Sequence, residues 1–213
     1  MSEPRKPDYF KAIATNYRQY EFRSRLEAKW AAFFDLCGWS WSYEPVDHNG
    51  WIPDFAIGYR PTLVEVKPFF REHEWLEAVE KIRQSQCQEP VILLGADPSW
   101  IAVENDEMHN GGPMIGWLLD SPLRDESGKE SRFMEALHFG LTEGNDKLGL
   151  CPMEGAWNNW IWSAPPVSHA NKWSRVSLYG QDIETHLVSK WANACNIAKW
   201  IPNAQLIENP AVA

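Results

Sequence analysis

Pro53-Asp54 and, after ten intervening residues, Glu65-Val66-Lys67 place two carboxylates and an amine at a spacing that two neighbouring strands can bring together. Side chains in a strand alternate faces, so Glu65 and Lys67 share one face while Val66 points to the other, into the core. A paired strand can set Asp54 beside Glu65. Two carboxylates so placed repel each other, and a divalent cation relieves that repulsion best. The donors are hard oxygens, which suits Mg2+, with Mn2+ able to substitute; the carbonyl of Val66 could supply a further oxygen.

Residues 21–37 carry apolar side chains at Phe22, Leu26, Trp30, Phe33, Phe34 and Cys37, the spacing of a helix with one buried stripe, and Gly38 ends it. Glu27 lies about 100° round that helix from Leu26, at the border of the stripe, from which it can face the sheet edge and the same cation. An ion pair with Arg23, four residues earlier, is the simpler use for it. Trp39 to Glu44 alternates in strand fashion, Asp47-His48-Asn49-Gly50 is a strong turn, and Trp51 to Ile57 resumes, which predicts a hairpin. His48 in that turn reads as a surface histidine. Thr62 to Lys67 forms a further strand, stopped by Pro68.

From Glu72 to Gln88, Trp75, Leu76, Val79, Ile82 and Gln86 mark one side of a second helix, and Pro90 leads into the apolar strand Val91 to Leu94. Helix, strands, helix, strand is the order of a mixed α/β layer architecture. Beyond residue 96 the pattern predicts strands at Trp100 to Val103 and Met114 to Leu119 around the turn Asn110-Gly111-Gly112-Pro113, and a short helix at Ser131 to Phe139. Residues 140–180 are rich in Gly, Asn, Pro and Trp without clear periodicity. A last helix is expected near Ile183 to Trp200, with Leu187, Trp191, Ala194, Cys195 and Ala198 on one side. The chain therefore divides into residues 1–103 and a Trp-rich, acidic α+β extension, residues 104–213.

A chain of 213 residues with 44% hydrophobic content and 13 Trp can bury a sizeable core, which excludes a disordered protein. No N-terminal stretch has the signal-peptide pattern, and the longest apolar run, near Val91 to Ala96, is too short to span a bilayer, so a soluble, cytoplasmic protein without membrane contact is expected. Cys37, Cys87, Cys151 and Cys195 are widely spaced, which offers neither CxxC redox chemistry nor a four-thiolate zinc site; buried thiols are expected. Cys151, His169 and Cys195 are the candidate ligands, they lack zinc-ligand spacing, and no zinc is expected.

The net charge of −9 argues against coating nucleic acid with the whole surface. Its distribution is uneven. Residues 1–30 hold 7 Lys+Arg against 4 Asp+Glu, net +3, whereas residues 96–213 hold 8 against 15, net −7. Any DNA contact then falls to the N-terminal part, through Arg23, Arg25 and Lys29 among others; a solvated basic helix face is the plainer reading. Trp157, Trp160, Trp162 and Trp173 could stack bases, although core packing or a partner surface suits their acidic-to-neutral surroundings better.

The runs Phe22-Arg23-Ser24-Arg25-Leu26-Glu27, Trp41-Ser42-Tyr43-Glu44, Pro53-Asp54-Phe55 and Val64-Glu65-Val66-Lys67-Pro68 resemble, in this order, the PD-(D/E)xK nuclease superfamily. Phage-type endonuclease I junction resolvases, endonuclease subunits of heteromeric transposases and related phage-encoded proteins are similar in order and spacing. The resemblance covers residues 20–95. It implies a restriction-endonuclease-like core, a mixed central sheet flanked by helices, and phosphodiester hydrolysis of DNA in phage or bacterial cells. Asp54 and Glu65 would bind the metal, Glu27 would complete the site or hold a second ion, and Lys67 would orient or deprotonate the attacking water. Lys81, Arg83 and Gln84 on the second helix would contact phosphates or bases. A homodimer is compatible with resolvase action, since cutting two strands usually takes two sites. The alternatives are a catalytically silent nuclease fold used for binding or assembly, and a subunit that needs a protein partner docked on residues 104–213.

Overall fold

A short antiparallel hairpin, β1 (Thr15–Tyr17) and β2 (Tyr20–Phe22), reverses at Arg18, where φ is 51°, and leads into α1 (Arg25–Cys37). Ser24, extended at φ −137°, caps the helix by accepting from the Glu27 amide at 3.2 Å. Gly38 stops it at φ 71°, a left-handed conformation that glycine adopts without strain, and donates to Asp35 O at 2.9 Å. The helix thus starts later than its apolar spacing suggests. Phe22 belongs to β2, because the serine cap behind it requires extended backbone. A computed structural model of the chain describes residues 12–58, 62–69, 75–98, 116–119 and 186–199 with their side chains, and residues 114–115, 123–124, 130–131, 134–142, 148–152, 160–161, 174–177 and 181–185 as backbone.

β3 (Trp41–Tyr43), β4 (Phe55–Ile57) and β5 (Thr62–Val66) form an antiparallel meander. Between β3 and β4, His48 and Trp51 close the expected turn, with Asn49 and Gly50 at φ 50° and 89°. After β5, α2 (Leu76–Gln84) crosses to β6 (Val91–Leu94), which pairs parallel with β5, and β7 (Met114–Leu119) pairs antiparallel with β6. The chain is α/β, and its sheet is mixed.

β8 (Leu123–Arg124) and β9 (Glu130–Ser131) make a separate ribbon. β10 (Met134–Thr142) extends the main sheet from β7, followed by β11 (Leu148–Pro152), β12 (Trp160–Ile161) and β13 (Ser174–Ser177), before α3 (Gln181–Ile197). The helix expected at Ser131 to Phe139 is instead mostly strand. Met, Glu, Ala and Leu there favour a helix locally, but β7 and β11 pair with that segment from both sides and the ladder outweighs propensity. The strand expected at Trp100 to Val103 and the turn at Asn110 to Pro113 lie outside the described residues. The division expected after residue 103 falls between β6 and β7, which are hydrogen-bonded neighbours.

Two cores flank the sheet. On one face Val64, Val66, Phe55, Ile57, Ile92 and Leu94 pack under α1 and α3, with Trp30 and Trp191 4.7 Å apart between ring centroids. On the other face Ala56, Leu63, Val91, Leu93 and Trp117 pack under α2, together with Trp51 and Trp75. α2 turns Ala78 and Ile82 inward and leaves Leu76, expected on the buried side, 64% exposed. Trp75, Ala78 and Ile82 already set the buried stripe at helical spacing, and Leu76 lies off it. Among the described residues no helix is long and apolar enough to cross a membrane.

Gly116 lets β7 approach β6: a Cβ there would collide with the Leu93 carbonyl. Gly116→Ala should therefore destabilise the chain by about 1–3 kcal/mol in chemical denaturation. An unchanged midpoint would contradict the close β6–β7 approach.

Candidate functional site

Asp54 immediately precedes β4, and the register Phe55↔Val64 carried one step on sets it beside Glu65. It is 2% exposed, yet its carboxylate is fully engaged. Oδ2 accepts from the Val66 amide at 2.7 Å, and Oδ1 accepts from the Arg23 guanidinium at 2.7 Å. The side chain takes a backbone donor at the end of β5, so the carboxylate is tied to the strand that carries Glu65 and Lys67. Val66 packs with the α1 face of the sheet, as alternation requires of a residue between Glu65 and Lys67.

Glu65, 4% exposed, is held from two sides. Its Oε2 accepts from the Trp51 indole at 3.1 Å, and its Oε1 meets Lys67 Nζ at 2.5 Å. The same ammonium donates to the Val66 carbonyl at 3.2 Å and lies 3.8 Å from Asp54 Oδ2. Lys67 Nζ therefore sits among the three oxygens expected to hold a metal ion.

Glu27 belongs to an adjoining network. Its Oε1 accepts from the Ser24 hydroxyl and its Oε2 from the Tyr43 hydroxyl, both at 2.7 Å. Arg23 joins the networks: its guanidinium reaches Asp54, lies 2.9 Å from Glu44 Oε1, and is 4.0 Å from Glu27 Oε2. Glu27 thus pairs with Arg23 and also bonds Tyr43 of β3. Glu27 is linked to Asp54, one of the residues round Lys67 Nζ, through Arg23.

The electrostatics follow from burial. Glu27, Asp54 and Glu65 bring three formal negative charges inside, against two positive from Arg23 and Lys67. Burial first, then the charge of Glu65, pushes the Asp54 carboxyl up to about 7. Burial acts to lower Lys67, but Asp54 and Glu65 outweigh it and hold the ammonium above its ordinary range. Lys67 in this arrangement is thus held as a cation by its two carboxylate neighbours. The Tyr43 hydroxyl is raised by burial and by its bond to Glu27.

Hard carboxylate and carbonyl oxygens suit Mg2+ or Mn2+, and a side-chain cation already draws Glu65, Val66 and Asp54 together. Of the expected DNA-contacting residues, Arg23 is committed to the carboxylates. Arg25 and Lys29 are half-buried on α1, the Arg25 Nε being buried without a hydrogen-bond partner. Lys81, Arg83 and Gln84 are exposed on α2, where Glu80 binds both Arg83, at 3.1 Å, and Gln84, at 3.0 Å. Trp51 and Tyr43, which orient Glu65 and Glu27, were not singled out by sequence; both flank the predicted turn, and a polar aromatic near buried acids was the available signal. The side chains of Trp157, Trp160, Trp162 and Trp173 lie outside the described residues.

Asp54 holds its proton more tightly in the folded chain, at about 7, than at its ordinary 3.8, so its contribution to stability is whole below about pH 4 and lost as pH rises through about 7. In chelator, Asp54→Asn should remove that loss, its melting temperature gaining on the parent's between about pH 4 and pH 8. A pH-independent difference would contradict the assignment. No protein-family model, curated protein or solved structure matches the chain, so its function has to be read from these contacts.

Proposed function

We propose that the chain is a Mg2+-dependent DNA endonuclease of the PD-(D/E)xK type, built on a restriction-endonuclease-like core and used in phage or mobile-element DNA processing. The observation that carries this reading is the placement of Lys67 Nζ among Glu65 Oε1, the Val66 carbonyl and Asp54 Oδ2, a cation position lined by hard oxygens. The mixed sheet between helices, with Asp54, Glu65 and Lys67 converging at the ends of β4 and β5, supports it further.

In this reading Asp54, Glu65 and the Val66 carbonyl would hold the ion, and Lys67 would orient the attacking water through its N–H groups. A divalent cation bound there supplies stabilisation of the charge that builds on the phosphate and the leaving oxygen. Trp51 keeps one Glu65 oxygen occupied and so fixes which oxygen faces the ion. The Val66 amide does the same for Asp54. Glu27 remains linked to Asp54 through Arg23, and it supports a second ion or steadies the first. Lys81, Arg83 and Gln84, exposed on α2, would contact the DNA backbone in this reading.

A second reading has its own observation. Arg23 and Lys67 between them engage Asp54 and Glu65, an arrangement that is satisfied without a metal. A silent nuclease fold, or a subunit that acquires activity only with a partner on residues 104–213, would look this way.

Incubation of linear, supercoiled, branched and single-stranded DNA with Mg2+ or Mn2+ tests both. We expect cleavage that disappears with chelator and in Asp54→Ala, and falls about 10²–10⁴-fold in Lys67→Ala. Absence of cleavage on every substrate, with a thermal melt indifferent to both ions, would reject the metal-dependent reading in favour of the silent one. Metal-induced stabilisation without cleavage points to the partner-dependent subunit.

A further inference from the structure

We propose that His48, Cys87 and Glu89 form a second cation site, selective for zinc-class divalent ions and separate from the acidic cluster, that clamps the β3–β4 turn to the segment after α2. One ligand atom from each residue lies within 4.8 Å of the other two, and no other group of His, Cys, Asp or Glu among the described residues draws together so closely. Tetrahedral zinc, with bonds of about 2.0–2.3 Å, separates its ligand atoms by about 3.3–3.8 Å. Closing the site takes a contraction of about 1 Å, within reach of side-chain rotation.

A second observation points the same way. His48 Nε2 is buried and has no hydrogen-bond partner, a costly state for a ring nitrogen and one that a metal bond would relieve. The backbone that carries this histidine is fixed at the turn. Its amide and carbonyl are bonded to Trp51 at 2.8 and 3.0 Å, and its ring lies 5.8 Å from the Trp51 ring. The other half of the site is pinned to the same turn: Asn49 Nδ2 donates to Ser85 O at 2.7 Å. Gln86, at φ 59°, then redirects the chain so that Cys87 turns inward, where it is 4% exposed. The thiol lies 3.3 Å from Glu89 Oε2.

The chemistry selects the ion. One sulfur, one imidazole nitrogen and one carboxylate oxygen suit Zn2+ and its neighbours, whereas Mg2+ prefers oxygen alone. On binding, Cys87 releases its thiol proton to solvent, and thiolate with carboxylate balances the two positive charges while His48 stays neutral. Three protein ligands leave one position for water.

Cobalt(II), added to the chelator-stripped full chain, is a visible probe of such a site. We expect stoichiometric binding with a thiolate-to-cobalt charge-transfer band and the intense visible bands of four-coordination, both erased by Zn2+ and indifferent to excess Mg2+. Cys87→Ser should abolish the charge-transfer band and His48→Gln should weaken binding, while Asp54→Asn keeps the full signal, which separates this site from the acidic one. Glu89→Gln changes an exposed position that should leave the fold intact, and it should lower cobalt affinity at least about tenfold. A folded chain that gives no charge-transfer band overturns the proposal. So does a band that survives Cys87→Ser, or an affinity unaltered by Glu89→Gln.

Discussion

The hydrogen bond from the Val66 amide to Asp54 Oδ2, at 2.7 Å, is the contact on which the site depends. A carboxylate taken out of water costs several kcal/mol unless its oxygens are met. Here a backbone donor meets one oxygen and Arg23 meets the other. The backbone bond also fixes register. Slipping β5 by one residue against β4 would strand Asp54 and turn Glu65 and Lys67 to the face where Val64 and Val66 now pack. The same segment is secured on its other side, where Lys67 N donates to Leu94 O of β6 at 2.9 Å. The end of β5 is therefore held between two neighbours.

α1 brings the remaining charge to this edge, so its docking matters as much as the strand register. Phe22, Tyr43 and Phe55 pack together beside its first turn, Phe22 and Tyr43 edge to face with centroids 4.5 Å apart and Phe55 tilted against both. Tyr43 then uses its hydroxyl twice, donating to Glu27 and accepting from the Arg23 amide at 3.1 Å. Further along, the Trp30 indole donates to Gly95 O at 3.0 Å while its ring packs on Trp191 of α3. Lys190 of α3 donates to Leu36 O at 2.7 Å. The C-terminal half thus helps seat the helix that carries Glu27.

Much of this was legible because short-range periodicity decides it. Alternation alone places Glu65 and Lys67 together and Val66 apart, and the Gly38 stop, the Asn49-Gly50 turn and the apolar strand Val91 to Leu94 each follow from local chemistry. What was not legible depends on partners distant in sequence. Arg23 looks like any surface arginine until β4 brings Asp54 to it, and Trp51 looks like core until its indole finds Glu65. Residues 134–142 carry helix-favouring side chains, and only strands on both flanks make them β10. His48, Cys87 and Glu89 escape for the same reason, since the turn and the end of α2 meet only once the sheet has formed.

Trp51 connects the two clusters. Its backbone is bonded to His48 and its indole to Glu65, so anything that stiffens the turn also stiffens the bond that selects which Glu65 oxygen faces Lys67. The two clusters differ in chemical hardness, and that difference would keep the ions proposed for them apart. Oxygen donors around Lys67 favour Mg2+, whereas a thiolate and an imidazole reject it. A zinc-class ion at the turn would then act on the acidic cluster through geometry rather than by competing for its ligands. It would hold Glu65 oriented by way of a fully buried tryptophan that touches both. The β3–β4 turn is in this view part of the machinery that positions the acidic cluster.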